Sequence, residues 1–258
     1  MKIALIQMNL AWCDAAANLH RAEEMMKSTP GADVYVLPEM FTTGFCMEPE
    51  RIAEPAEGSA LQWMRRVAGE MDAAVAGSVA TIAPDGGYRN RMYFVTPDGQ
   101  VTHYDKRHLF SYSGEDKHYE AGAERVIVAF RGVRFLLQVC YDLRFPVWAR
   151  NRSGHDYDII LAVANWPDIR IQYWDALIAA RATENQCYIA AVNCVGDDGM
   201  GLHYNGHSVA YDTRLQPIAS FADDEEGTKI ADFDIEKLHH FREVLPLWKD
   251  IDRFELQQ

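Results

Sequence analysis

The amino-acid sequence predicts a mixed fold, α/β or α+β, in which helices cover a largely buried sheet core. Short apolar runs bounded by turn residues recur along the 258 residues. Several are apolar throughout, as in strands that are buried on both faces. Four other segments have the periodicity of amphipathic helices. No repeat, low-complexity tract or flexible linker divides the chain, so we expect one domain over residues 1–258.

The predicted strands begin with the N-terminal run MKIALIQ. This run has one Lys and a short apolar stretch, whereas a signal peptide needs a longer apolar core, and we therefore interpret it as the first strand. Between two later runs, Pro97-Asp98-Gly99 has the residues of a turn, because Pro fixes φ and Gly accepts a positive φ. The predicted strands cover residues 2–7, 34–37, 74–78, 91–95, 126–130, 133–139, 159–163, 188–192, 207–211 and 229–233.

The predicted helices cover residues 18–28, 59–71, 173–186 and 235–243. The first begins at Asn18 and the second at Ser59, and both residue types are common N-caps. These early helices alternate with strands, whereas the middle of the chain is rich in strands. The alternation favours helices on the outside of a sheet core.

Charge and composition exclude several classes of function. The chain has 25 Lys and Arg against 38 Asp and Glu, a formal net charge of −13, which argues against nucleic acid or an anionic membrane surface as a partner. No run approaches the 18 or so apolar residues that span a bilayer. The five cysteines are an odd number without the spacing of a disulfide framework, and they predict free thiols in a reducing cytoplasm.

Three reactive residues follow strand-like runs. Glu39 follows the run at 34–37, Cys140 follows the run at 133–139, and Lys106 follows a further run that begins at Val101. Strand ends are where side chains meet in a ligand crevice. Together a Glu can accept the thiol proton and a Lys can stabilise a thiolate and an oxyanion. Taken alone, a Cys at this position is more often an inert buried thiol, a Glu is more often a helix cap, and a Lys is more often a surface charge. The spacing does not show that the three residues meet, so the triad is a hypothesis at this point.

The segments LPEMFTTGF, YDKRHLF and VCYDLRFP resemble the three signature blocks of the nitrilase superfamily, the carbon–nitrogen hydrolases. The order Glu, Lys, Cys matches, as do the separations of 67 and 34 residues, and the likeness continues through VANWP and ARATENQCYIAAVN. The resemblance implies Glu39 as general base, Lys106 as electrostatic partner and Cys140 as nucleophile. It also implies a four-layer α-β-β-α sandwich that pairs through a helical face into a homodimer. No metal or organic cofactor is implied, because the charge of Lys106 does the electrophilic work.

Members of this superfamily often carry a second glutamate between the Lys and the Cys. Glu115 fits that position from its spacing to Gly122, and Glu120 is the competing choice. The resemblance implies that this glutamate orients Lys106 or the substrate amide.

The same blocks resemble the omega-amidase branch, which hydrolyses monoamides of short dicarboxylic acids such as 2-oxoglutaramate and 2-oxosuccinamate. On this reading the backbone N–H of Tyr141 helps Lys106 to hold the oxyanion. A distal carboxylate on the substrate asks for a cationic pocket, and Arg170 and Arg144 are the candidates, with Trp166 as a wall. For Arg144 the competing interpretation is an ion pair with Asp142.

Other interpretations stay open at this point. The chain could be another amidohydrolase of the superfamily, namely an N-carbamoyl amino acid hydrolase, a nitrilase or a deaminated-glutathione amidase. It could also be a non-catalytic interaction protein on the same fold. A zinc site is disfavoured because Cys187 and Cys194 are spaced more widely than a zinc knuckle requires. We expect these thiols to pack in the core and the nearby His203 and His207 to lie in loops.

Overall fold

Two β-sheets lie at the centre of the computed structural model, which describes residues 1–252, 254 and 255. In the first sheet the strand order is β15-β1-β2-β4-β5-β6, and β3 pairs with β4. Strands β1, β2 and β4 are parallel, whereas β15, β5 and β6 run antiparallel to their neighbours. Its strands are β1 (Lys2–Gln7), β2 (Val34–Val36), β3 (Glu54–Pro55), β4 (Ala74–Ile82), β5 (Tyr88–Val95), β6 (Val101–Asp105) and β15 (Gly227–Asp232).

The second sheet has the order β14-β13-β10-β9-β8-β7. Its central strands β8, β9 and β10 are parallel. Strands of this kind are typically covered on both faces of the sheet. A separate hairpin is formed by β11 (Val195–Asp197) and β12 (His203–Asn205). The strands of the second sheet are β7 (Ile127–Phe130), β8 (Val133–Val139), β9 (Ile159–Val163), β10 (Tyr188–Val192), β13 (Val209–Tyr211) and β14 (Pro217–Ser220).

Helices cover the outer faces of both sheets. The α-helices are α1 (Ala15–Ser28), α2 (Pro49–Ile52), α3 (Ser59–Met71), α4 (Glu115–His118), α5 (Pro146–Ala149), α6 (Ile171–Asn185) and α7 (Ile235–Val244). Short 3-10 helices cover Ser111–Ser113, Cys140–Arg144, Asp168–Arg170 and Leu247–Asp250. Within the described residues, no helix combines the length and apolar character needed to cross a bilayer.

The alternation of side chains along β1 shows how the layers stack. Ile3 and Leu5 pack in one core with the second sheet and α6, whereas Ala4 and Ile6 pack in another core with α1 and α3. Successive residues of a strand point to opposite faces, so β1 contributes to both cores. The order of layers is therefore helix, sheet, sheet, helix, which confirms the predicted α-β-β-α sandwich.

Several helix boundaries differ from the predicted ones. Helix α1 begins three residues early because Asp14 is the cap, its carboxylate accepting from the Ala17 N–H at 3.0 Å. Asn18 is instead buried and donates to the carbonyls of Ala11 and Thr42. Ser59 is already inside α3. Helix α6 begins at Ile171 rather than at 173 and ends one residue earlier, while α7 extends one residue further.

The strands differ from the prediction mainly in length. Strands β4 and β5 extend well beyond the predicted 74–78 and 91–95, because their further residues form a long antiparallel pair. The predicted strand 207–211 begins only at Val209, since His207 has a positive φ of 62°. Five strands lie outside the ten predicted segments because they are too short or too polar for periodicity to detect: β3, β6, β11, β12 and β14.

Candidate active site

The ends of three strands bring Glu39, Lys106 and Cys140 into one buried site. Glu39 follows β2, Lys106 follows β6 and Cys140 follows β8, so two residues come from the first sheet and one from the second. The Glu39 and Lys106 side chains are fully buried, and Cys140 is 9% exposed. The Lys106 Nζ donates to the Glu39 Oε1 at 2.8 Å. A carboxylate, an ammonium and a thiol thus share a site that is almost fully buried.

Glu115 lies in the same site, at the first residue of α4. Its two carboxylate oxygens accept from the Lys106 Nζ at 3.0 and 2.9 Å, and one also accepts from the Phe110 N–H at 2.6 Å. Glu120, the competing choice, is 62% exposed and pairs with Arg89. Glu115 is therefore the glutamate that contacts Lys106.

Cys140 is the first residue of the 3-10 helix that directly follows β8, at a sharp turn of the backbone. Its φ is +47°, a left-handed conformation that costs a non-glycine residue about 1–3 kcal/mol. Strain of this kind is stored where a side chain must be presented in a fixed direction. The turn presents the thiol to Glu39 and Lys106 without the glycines of a G-x-S-x-G elbow, so the sequence gives no signal of it.

The buried charges set the protonation states. Burial raises the pKa of the Cys140 thiol well above its usual range, the Glu39 carboxylate adds to this, and Lys106 offsets only part of it. Burial alone would lower the pKa of Lys106, but Glu115 and Glu39 more than compensate and raise it. The resting site therefore holds a protonated thiol beside a charged lysine.

Two asparagines that sequence reasoning missed hold Glu39. Asn90 on β5 donates to the Glu39 Oε1 at 2.8 Å and to the Glu115 Oε1 at 3.1 Å. Asn165 donates its backbone N–H to the Glu39 Oε2 at 2.8 Å and its Nδ2 to the Glu39 carbonyl at 2.9 Å. Asn165 follows the end of β9, just as the reactive residues follow the ends of their strands. Its position in the sequence could therefore have indicated that it belongs to the site. Asn90 lies inside a strand and offers no such signal.

Asp142 fixes the turn of the nucleophile to the segment that carries Lys106. It is fully buried and accepts from the Tyr104 hydroxyl at 2.7 Å, the Val139 N–H at 3.0 Å and both the backbone N–H and the Nδ1 of His108. Arg144 forms no ion pair with Asp142, so this competing interpretation of Arg144 is wrong. The Asp142 carboxylate instead accepts hydrogen bonds both from the segment around Lys106 and from the end of β8 before Cys140.

A narrow cleft opens onto the thiol of Cys140. The Arg144 guanidinium lies over the rings of Trp166 and Tyr173 at 5.2 and 5.1 Å. Arg170 lies over the ring of Phe110 at 5.3 Å. Among residues 1–252, 254 and 255, neither guanidinium forms an ion pair. The lining residues are Phe45, Phe110, Ser113, Cys140, Tyr141, Arg144, Asn165, Trp166, Pro167, Arg170, Leu202 and Tyr204.

The four residues considered for zinc have separate partners. The Cys194 thiol donates to the Asn165 Oδ1 at 2.8 Å, and the Cys187 thiol is buried near the Arg181 carbonyl. His203 and His207 each bridge two aspartates. His207 lies in a loop as expected, whereas His203 is the first residue of β12, so its predicted loop position is wrong. The described residues contain no cluster of three or more His, Cys, Asp or Glu side chains that could hold a metal ion.

The four-layer sandwich agrees with the fold of the carbon–nitrogen hydrolases, and the chain belongs to that family, whose model matches residues 2–243. Its relatives include the omega-amidase YafV of Yersinia enterocolitica, which is 48% identical over 99% of this chain and 98% of its own length. The 2-oxoglutaramate amidase of Bacillus subtilis is 33% identical over 96% of each chain.

Solved structures agree on the fold. The CN-hydrolase superfamily protein XC1258 of Xanthomonas campestris, solved with an arsenic adduct in its active site, superposes with a TM-score of 0.96 at 40% identity. The superposition covers 100% of this chain and 99% of XC1258. Nit3 of Saccharomyces cerevisiae, from branch 10 of the nitrilase superfamily, has a TM-score of 0.83 at 26% identity, with 96% of this chain and 94% of Nit3 covered.

Proposed function

We propose that this chain is an omega-amidase that hydrolyses the terminal amide of short dicarboxylic acid monoamides, such as 2-oxoglutaramate and 2-oxosuccinamate, to the acid and ammonia. The observation that carries the proposal is the cleft in which Arg144 and Arg170, without carboxylate partners among the described residues, lie beside the thiol of Cys140. A cationic cleft suits a substrate with a carboxylate at one end and an amide at the other. The names of the relatives support the same substrate class.

Acylation begins when the Cys140 sulfur attacks the amide carbon and its proton passes to Glu39. The resulting oxyanion is stabilised by the Lys106 ammonium and the Tyr141 N–H, which the first turn of a 3-10 helix leaves without a partner inside the helix. Glu39 then returns the proton to the nitrogen as the C–N bond breaks. Ammonia leaves and a thioester on Cys140 remains.

Deacylation uses the same groups. Glu39 takes a proton from water as the water oxygen attacks the thioester carbon, and the oxyanion is held as before. When the C–S bond breaks, the proton on Glu39 returns to the Cys140 sulfur and the carboxylic acid departs. Glu115 keeps the Lys106 ammonium in place through two hydrogen bonds. The charge of Lys106 supplies the electrophilic stabilisation, so the scheme needs no metal or organic cofactor.

Replacing Arg144 or Arg170 by Met is expected to weaken binding of the carboxylate more than it slows chemistry. Each charge-assisted hydrogen bond lost corresponds to about a 10–100-fold rise in KM for 2-oxoglutaramate. An aliphatic monoamide of equal chain length without the carboxylate is the control substrate, and its kcat/KM should change little. If both variants lost kcat/KM equally for both substrates, neither arginine would bind the substrate carboxylate.

The other amidohydrolase activities are separated by a substrate panel. Ammonia release is measured with 2-oxoglutaramate, succinamate, glutamine, a nitrile and an N-carbamoyl amino acid. We expect the highest kcat/KM for 2-oxoglutaramate. A higher value for the nitrile or the N-carbamoyl amino acid would overturn the proposed substrate class.

A homodimer in the cytoplasm is the form in which we expect the enzyme to work. Large apolar side chains lie exposed around α5 and α6, with Val147 at 44%, Tyr173 at 56% and Ile169 at 68% exposure. Pairing of such a face with a second copy would bury these side chains. The cytoplasm suits five cysteines that are free thiols in the structure. Sedimentation equilibrium should give twice the chain mass, and a monomer at micromolar concentration would contradict the dimer.

A further inference from the structure

Asn90 contacts both carboxylates of the site through one nitrogen atom. Its Nδ2 donates to the Oε1 atoms of Glu39 and Glu115, and its side chain is fully buried. Both partners are carboxylate oxygens that already accept from Lys106. Because these oxygens are acceptors, the amide nitrogen rather than the amide oxygen must face them. The orientation of the side chain is thereby fixed.

The Asn90 amide lies between two carboxylates that repel each other. Glu39 and Glu115 place two carboxylates around the single ammonium of Lys106, with no exposure to water. Like charges this close favour uptake of a proton, and a protonated Glu39 could not accept one from Cys140. Asn90 adds a neutral donor between the carboxylates, which favours their ionised forms without adding another charge.

The Nδ2 atom of Asn90 has hydrogen-bond partners, whereas its Oδ1 atom has none among the described residues. Among the residues that the structure describes, the Asn90 Oδ1 has no protein hydrogen-bond partner, although it is buried. A side chain retained only to fill a strand position would gain from an apolar residue there. The backbone of Asn90 is bonded independently of the side chain, because its carbonyl accepts from the Lys106 N–H at 3.0 Å. The contacts of the amide are thus concentrated on the two carboxylates.

We propose that Asn90 is a positioning residue that keeps Glu39 ionised and aimed at Cys140 by sharing its amide between Glu39 and Glu115. The inference rests on the proposed roles of these residues in amide hydrolysis. It assigns to β5, from which sequence reasoning chose no residue, a side chain on which the general base depends. Asn90 does not touch the thiol, so its effect reaches the reaction through Glu39.

The other ionisable groups near the two carboxylates keep one protonation state on the acid side of the rate profile. Burial raises the pKa values of Cys194, Tyr119 and Tyr204, each of which is sensitive to the charge of Glu39. Lys106 stays charged because its pKa is raised. The acid limb of a rate profile therefore reports the protonation of the carboxylates beside the Cys140 thiol.

The test compares Asn90→Ala and Asn90→Asp with the unmodified enzyme. Both kcat/KM for 2-oxoglutaramate and the rate of Cys140 alkylation by iodoacetamide are measured against pH. Asn90→Asp replaces the donor by a third carboxylate of the same shape, and we expect its acid limb to move up by about one pH unit, with a smaller upward shift for Asn90→Ala. At neutral pH we expect kcat to fall about 10–100-fold and KM to change little.

Asn151→Asp is the matched control. Asn151 is buried and its Nδ2 donates to the backbone carbonyls of Tyr157 and Asn185, outside the site. It should lose stability without moving the acid limb. Unshifted limbs in folded Asn90→Ala and Asn90→Asp, in both assays, would overturn the inference. If Asn90→Asp does not fold, Asn90→Ala decides. Failure of the unmodified enzyme to hydrolyse 2-oxoglutaramate would refute the proposed substrate instead, and alkylation would still test Asn90.

Discussion

Replacing Cys140 by Ala is expected to abolish ammonia release from 2-oxoglutaramate while leaving the fold intact. The thiol sulfur is the only protein atom in the proposed scheme that bonds to the substrate carbon, and loss of a nucleophile lowers kcat by about 10⁴–10⁶-fold. The side chain is small and lies at the floor of the cleft. The free energy of unfolding should therefore change by about 1 kcal/mol or less. Ammonia release and thermal unfolding, measured on the same preparation, check both statements.

Cys187→Ala is the matched control for this variant. Cys187 is another buried thiol, directly before β10 and outside the cleft. It should keep its activity and lose some stability. Full activity in Cys140→Ala would exclude Cys140 as the nucleophile, whereas loss of activity in both variants would point to a folding defect.

Replacing Lys106 by Met is expected to remove both activity and stability. The substitution leaves Glu39 and Glu115 buried together without a cation, and breaking such a group costs about 3–5 kcal/mol. The pKa of Glu115 is already raised by burial, despite the opposing effect of Lys106. Without Lys106 the folded protein would bind protons that the unfolded chain releases. Stability relative to the unmodified protein should therefore fall as the pH rises from acidic to neutral.

Two further variants separate the charge of Lys106 from its shape. Adding Glu115→Gln to Lys106→Met removes one of the two buried charges and should restore part of the stability but no activity. Lys106→Arg keeps the charge in a larger planar group that a fully buried site cannot accept without moving Glu39. Denaturant unfolding at several pH values measures the stabilities. An unaffected rate in Lys106→Arg, or a pH-independent stability in Lys106→Met, would argue against the assigned role.

The catalytic candidates are visible in the sequence because each follows a strand-like run, but their proximity in the folded chain is not visible there. Glu39 and Lys106 belong to the first sheet and Cys140 to the second, so the site exists only when the two sheets pack. Nothing in the spacing of 67 and 34 residues encodes that packing. The family resemblance supplied the sandwich from which the meeting follows.

The supporting residues were harder to predict because their partners are distant in sequence. Asp142 was considered as a partner of Arg144, two residues away, yet it binds Tyr104 and His108, which are 38 and 34 residues away. Asn90 lies between two arginines on β5 and looks like a residue of a solvated strand. Its two carboxylate partners give it a role that becomes visible only in the folded chain.

Local chemistry also left some choices undecided. Asp14 and Asn18 are both good caps and lie one helical turn apart, so the periodicity of α1 fits either start. The outcome depends on the loop before the helix, where Asn18 satisfies the carbonyls of Ala11 and Thr42. Sequence patterns therefore placed the helix and its buried face better than its first residue.

Trapping the acyl-enzyme is the most direct test of hydrolysis through a thioester on Cys140. The enzyme is quenched in acid during turnover of 2-oxoglutaramate, digested, and analysed by mass spectrometry. We expect a mass increase equal to the acyl part of the substrate on the peptide that contains Cys140, and none in Cys140→Ala. Rapid ammonia release with no adduct on that peptide at any quench time, or an adduct on a different residue, would contradict the mechanism.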